Sequence, residues 1–180
     1  MVSAIEEVKK VRSLLDAVQQ ELRDDGISVD DQTKLGIMVE VPNVALQADL
    51  FAEYVDFFSI GTNDLTQYLL AVDRGNERIA HLYDQRHPMV WRLINEVAVA
   101  ARQTNTPLSI CGELASDPTA ACGLMGMGIS ELSMNSSMLP AVKEALCNHE
   151  MLELKKFSQQ ILACRTMDDI NKLFTNWKNT

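Results

Sequence analysis

Phe57-Phe58-Ser59-Ile60-Gly61-Thr62-Asn63-Asp64-Leu65-Thr66-Gln67 is an apolar run that stops at a glycine and then presents an amide and a carboxylate. A buried parallel strand delivers polar groups to one end of a sheet in this way. The pattern recurs at Ile37-Met38-Val39-Glu40 and at Leu108-Ser109-Ile110-Cys111-Gly112-Glu113, and in weaker form at Glu131-Leu132-Ser133-Met134-Asn135. Four strand ends, each with a reactive or ligating side chain, point to one shared site.

Working outward, Ile5, Val8, Val11, Leu14, Val18 and Leu22 recur every three or four residues, which predicts a helix over 3–25 with one apolar face and a stop at Gly26. A strand follows over 35–40. Pro42 then opens a helix that runs to Tyr54, because its missing amide hydrogen is no loss in a first turn. The second strand covers 55–60, and a helix follows Asp64 as far as Val72. After the polar loop Asp73-Arg74-Gly75-Asn76, Pro88 opens a helix with Val90, Leu93, Ile94, Val97, Ala98 and Ala101 on one face. The third strand follows Pro107. Asp117 and Pro118 read as N-cap and first helical residue, and the fourth strand ends near Asn135. A helix around 140–146 and two more complete the chain, the last opened by Thr166 and Asp169 as a capping box.

Strand and helix alternate over 35–146, which requires parallel strands with helical crossovers. The fold class expected is therefore α/β, part of a (β/α)8 TIM-type barrel with extra C-terminal helices and a site on the C-terminal face of the strands. A complete barrel needs about 250 residues and eight strands. The chain has 180 residues, so residues 1–180 are expected to form one partial barrel domain holding half of it.

The composition narrows the function classes. A hydrophobic content of 47% supports a real core, which excludes disorder. The formal charge of −9 and the lack of any Lys/Arg run argue against general nucleic-acid binding, while a local cationic pocket for a small anion remains compatible. No stretch reaches the roughly 18 uninterrupted apolar residues of a membrane span, so a cytoplasmic location is expected. Cys111, Cys122, Cys147 and Cys164 form no CxxC pair, and free thiols are the default.

At the strand ends, Glu40 and Asp64 are hard oxygen donors on adjacent βα units, suited to Mg2+, which takes one or two protein carboxylates and completes its octahedron with water and substrate oxygens. The alternative is a pair of solvated or helix-capping acids. Asn63 can donate its amide to a phosphate oxygen, and the Arg74 guanidinium matches phosphate geometry; alternatively Arg74 is a loop residue paired with Asp73. Cys111, followed by Gly112, can turn its thiol to a cleft and act as a general acid, or it can be a small buried hydrophobe, the role that fits Cys122. Glu113 is a supporting acceptor or a helix-entry carboxylate. His81, His87 and His149 lack zinc-ligand spacing and read as surface or capping residues. Met125-Gly126-Met127-Gly128 reads as tight packing and a turn.

Gly36-Ile37-Met38-Val39-Glu40, Asp56 through Tyr68, Ala71-Val72-Asp73-Arg74-Gly75-Asn76 and Cys111-Gly112-Glu113-Leu114-Ala115 resemble, in order and spacing, the Enzyme I family of the bacterial phosphotransferase system, of either its sugar or its nitrogen-related branch, the phosphoenolpyruvate (PEP)–protein phosphotransferases. The resemblance implies the C-terminal half of a PEP-binding barrel. It implies that Glu40 and Asp64 ligate Mg2+, that Asn63, Asp64 and Arg74 serve substrate binding, and that Cys111 protonates the enolate carbon of departing pyruvate. It also implies a homodimer, and phosphoryl transfer to a histidine on a separate domain and then to a phosphocarrier protein. The phosphohistidine domain, the carrier-binding domain and the earlier barrel strands have no counterpart here, so the chain is expected to be a C-terminal portion with little activity alone. Two other functions compete: a pyruvate phosphate dikinase or PEP synthase barrel, similar at Asn-Asp-Leu-Thr-Gln, and a non-catalytic dimerisation or binding module. The Ala-Val-Asp-Arg-Gly-Asn and Cys-Gly-Glu-Leu-Ala segments favour Enzyme I over the dikinase.

Overall fold

The computed structural model describes residues 1–177. Helix α1 (Ile5–Asp24) opens with Glu7 reaching back to accept from the amides of Ser3 and Ala4, at 2.7 and 2.9 Å. It closes on Gly26 at φ +77°, where Gly26 N donates to Arg23 O and Ile27 N to Leu22 O, both at 2.9 Å, the paired bonds of a Schellman stop. The apolar face differs from the expected one. Val8 is buried and Ile5, Leu15 and Leu22 are half-buried, whereas Val11, Leu14 and Val18 are exposed. At 100° per residue the latter three lie about a quarter turn from the contact stripe, so the apolar arc is wider than the body it packs on.

Strand β1 (Gly36–Val39) leads to α2 (Pro42–Leu46) and α3 (Ala48–Phe51), followed by a 3-10 turn over Ala52–Tyr54. One helix was expected here. The break falls at Gln47, whose side-chain amide occupies Asn43 O (3.2 Å) while its main-chain amide turns to Val44 O (3.2 Å). Strand β2 (Phe57–Gly61) passes straight into α4 (Thr62–Leu70), so Asn63 and Asp64 ride on the first helical turn and do not precede it. A carboxylate there also meets the positive end of the helix.

Helix α5 (Pro88–Thr104) is capped by His87, whose Nδ1 accepts from Met89 N at 3.2 Å. Strand β3 (Leu108–Cys111) is followed by α6 (Glu113–Ser116) and α7 (Pro118–Gly126). Asp117 Oδ1 caps α7 by accepting from Thr119 N (2.8 Å) and Ala120 N (3.1 Å). Strand β4 (Glu131–Ser133) ends earlier than expected because Asn135 caps a 3-10 turn over Ser136–Met138. Helices α8 (Leu139–Cys147), α9 (Met151–Ala163) and α10 (Met167–Trp177) follow. Asp169 N donates to Thr166 Oγ1 and Thr166 N to Asp169 Oδ2, which forms the expected capping box of α10.

The sheet order is β1-β2-β3-β4 with every pair parallel. Val39, Ile60, Ile110 and Leu132 align across it, as do Ile37, Phe58 and Leu108. Ile37, Val39, Phe58, Ile60 and Ile110 on these rows are buried under the helices. The alternate residues Met38, Ser59, Ser109 and Glu131 form the row on the opposite face, where Met38 and Phe57 are exposed. The Phe57 ring lies over Gly36, where a Cβ would collide with it.

The C-terminal helices add a second layer to the core. Phe174 packs edge-on against Trp91 of α5 at 6.0 Å between centroids, and Trp177 stacks on Phe157 at 4.0 Å. Gly126 lets α7 approach α9 so closely that a Cβ would strike the Leu154 carbonyl. Four βα units of a (β/α)8-type barrel wall, followed by packed C-terminal helices, make up the fold. All four cysteines are free thiols, and among the described residues no helix is long and apolar enough to cross a membrane.

Candidate active site

The side chains singled out in the sequence lie at the C-terminal ends of β1, β2 and β3. Glu40 follows β1 with its carboxylate only 15% exposed. It faces Asp64, and its pKa is held above the usual carboxylate range, first by burial and then by the negative charge of Asp64. The Met1 ammonium, 4.0 Å from Glu40 Oε1, opposes this. Burial and the charge of Asp64 disfavour the ionised form of Glu40, and a divalent cation held between the two facing carboxylates relieves that cost. Glu40 and Asp64 therefore fit Mg2+. Among the described residues no third acid, histidine or cysteine joins them, so solvent or a bound oxyanion would complete an octahedron.

Arg74 Nη2 donates to Asp64 Oδ1 at 3.0 Å, which fixes the guanidinium at the site. The pairing with Asp73 does not form, because Asp73 Oδ1 turns back to accept from Gly75 N at 2.8 Å. Arg74 is 43% exposed, so this ion pair adds little to stability and the guanidinium remains accessible from solvent.

Asn63 belongs to a more buried cluster. Its Oδ1 accepts from Glu113 N (3.1 Å) and from Gln85 Nε2 (2.9 Å), and its main-chain carbonyl accepts from the Tyr83 hydroxyl (3.0 Å). Burial pushes the Tyr83 phenol up, which keeps it a donor. Gly112 is required where β3 turns into α6: its φ is +106°, and a Cβ would strike Thr62 Oγ1 and lie 2.8 Å from Asn63 Oδ1.

Cys111 is half-buried, with Sγ 3.5 Å from Ile60 O and 3.8 Å from Met38 Sδ. It aligns with Gly61 of β2. A Cβ at Gly61 would lie 3.3 Å from the Glu40 Cβ, so the glycine brings Glu40 and Cys111 to either side of one bare position. The thiol thus belongs to the open face of the sheet and not to the helix-packed core, unlike Cys122, which is fully buried. His81, His87 and His149 stay outside the cluster: His87 caps α5, and His149 packs on Trp177 near Glu153.

Gln85, Tyr83 and Thr62 were not singled out in the sequence. Gln85 lies in the polar run Asp84-Gln85-Arg86, which looks like surface loop, yet the residue is 8% exposed. No local pattern marks it, because its partners come from two other strand ends.

Parallel βα units with carboxylates, an amide, a guanidinium and a thiol gathered toward one end of the sheet define an α/β protein of the partial-barrel class. The chain belongs to the family described as the PEP-utilising enzyme, PEP-binding domain, whose family model matches residues 1–151. It is 41% identical to the phosphoenolpyruvate-protein phosphotransferase of Haemophilus influenzae over 173 residues, 96% of this chain and 30% of that protein. It is also 41% identical to the phosphotransferase of the same name from Buchnera aphidicola subsp. Acyrthosiphon pisum, over 99% of this chain and 31% of that protein. The chain thus spans less than a third of the length of these relatives. A citrate lyase structure from Burkholderia xenovorans superimposes with a TM-score of 0.60 at 16% identity, covering 99% of this chain and 60% of that one, which shows the shared fold.

Proposed function

We propose that this chain carries the PEP site of a PEP–protein phosphotransferase. The observation that supports this best is the convergence of Glu40, Asp64, Asn63, Arg74 and Cys111 at three adjacent strand ends in a chain of the PEP-binding family. In this function Asn63 and Arg74 donate to the phosphate oxygens and hold the phosphoryl group in line with its acceptor. Glu40 and Asp64 hold Mg2+, which when bound supplies positive charge to the oxygens that become more negative. The bond between phosphorus and the enol oxygen breaks, and the phosphoryl group leaves for a histidine outside this chain and then for a phosphocarrier protein. The enolate left behind takes a proton at its terminal carbon from the Cys111 thiol, which gives pyruvate and a thiolate that recovers its proton from water. The protein works in the cytoplasm as part of a phosphotransferase system and associates as a homodimer.

Calorimetric titration of the chain with PEP, with and without Mg2+, tests the site. Mg2+-dependent binding that is abolished in Asp64→Asn supports it. Absence of PEP binding under both conditions would leave a module that packs but holds no substrate.

A further inference from the structure

The three bonds that fix Asn63 all converge on one loop glutamine or its partners. The Leu114 main-chain amide donates to Gln85 Oε1 at 3.0 Å, and an N–H can only donate, so this bond fixes which end of the Gln85 amide is oxygen. Gln85 Nε2 is thereby turned to Asn63 Oδ1 (2.9 Å) and Glu113 Oε2 (3.3 Å). Thr62 Oγ1, 2.9 Å from Cys111 O, lies 3.2 Å from Gln85 Oε1. Both N–H donors and the oxygen of a side chain that is only 8% exposed are thus engaged.

Asn63 is fixed by the same logic. The Glu113 main-chain amide donates to its Oδ1 at 3.1 Å, and Gln85 Nε2 supplies a second donor. A flip would set the Asn63 NH2 against two donors. Its oxygen is saturated on the inner side, and its NH2 makes no hydrogen bond among the described residues. The NH2 is the end of the amide left free of protein partners among the described residues, on a residue next to Asp64 in the first turn of α4.

We propose that Gln85 is a positioning residue that locks the Asn63 amide with its NH2 presented to ligand, by tying the end of β2 to the end of β3. The role of that NH2 as a phosphate donor rests on the function proposed above; the locking itself does not. Gln85→Glu is nearly isosteric and offers oxygen in place of Nε2. It sets a carboxylate against Glu113 and draws the Asn63 NH2 inward as its donor. Gln85→Met keeps the volume and removes all the polar contacts.

The test is side-chain amide NMR of the folded 180-residue chain in three forms, followed by PEP titration in Mg2+. In the unsubstituted chain the Asn63 NH2 protons exchange with water and shift when PEP binds. In Gln85→Glu their exchange slows on the order of tenfold, as a newly made hydrogen bond requires. In Gln85→Met the side-chain order of Asn63 falls. Both variants bind PEP about tenfold more weakly, the cost of one misplaced donor. Unchanged exchange and order in the two variants overturn the positioning role; if one variant fails to fold, the other decides alone. Should the unsubstituted chain bind no PEP while the exchange and order changes appear, the positioning role stands and the PEP site falls.

Discussion

Glu40 carries the clearest electrostatic consequence. Its folded pKa lies above the ordinary carboxylate value, so between those two values the folded chain holds more protons than the unfolded one. Stability without metal therefore falls as pH rises through that window. Glu40→Gln removes the dependence: its thermal midpoint is expected to exceed that of the unsubstituted chain above the window and to match it below, as read by melting across pH. The same substitution, or Asp64→Asn, should weaken Mg2+ binding by about tenfold or more, since each removes one of two hard ligands; calorimetry without PEP checks it. Cys111→Ala should spare PEP binding and slow proton delivery to the enolate by about a hundredfold. Proton exchange into the pyruvate methyl group measures this, in a full-length phosphotransferase carrying this chain in place of its own matching segment. The positions of Glu40, Asp64 and Cys111 at or just after strand ends were readable from the sequence because each closes or closely follows an apolar run, a local signal. Gln85 was not, since its burial is created by Asn63 and the Glu113-Leu114 backbone arriving from distant segments. The Arg74 partner also escaped: the adjacent Asp73 was the obvious candidate, but its carboxylate closes its own turn onto Gly75.

Helices α7 and α9 show how two glycines of one helix can differ in what they permit. Gly126 faces the Leu154 carbonyl, a main-chain atom that cannot move without the helix, whereas Gly123 faces the terminal Cδ1 of Ile161, 2.5 Å from a built Cβ. Gly126→Ala is expected to cost about 2 kcal/mol through forced separation of the helices. Gly123→Ala should be close to neutral, because a methyl rotation offsets a helix-propensity gain of about 1 kcal/mol. Urea denaturation of the two variants checks the contrast, and equal losses would refute it. The sequence marked the Met125-Gly126-Met127-Gly128 run as tight packing but named no partner. Alternation of strand and helix was readable throughout because periodicity is local. The break at Gln47 and the early start of α4 were not, since both depend on where individual side-chain and main-chain bonds form.

Across the molecule, the sheet has one face under helices and one open, and parallel sheets normally cover both. Of the two alternating sets of strand residues, Ile37, Val39 and Ile60 go to the covered side, leaving Met38 and Phe57 exposed. Strands β1 and β4 lie at the ends of the sheet order. We expect the chain to self-associate at micromolar concentration through this face or these edges. Light scattering should find dimers, and Phe57→Lys should shift the association constant by about tenfold toward monomer. A monomer with rapid amide exchange in β1 and β4 would contradict this. The order of the strands has another consequence. Because β1 to β4 pair with their neighbours in the sequence, β2, β3 and β4 each meet a partner already made as they leave the ribosome, and the sheet can grow in the direction of synthesis. Helices α9 and α10 must turn back, α9 to bring the Leu154 carbonyl against Gly126 and α10 to set Phe174 against Trp91. The outer core would stay loose until both helices had been synthesised and docked.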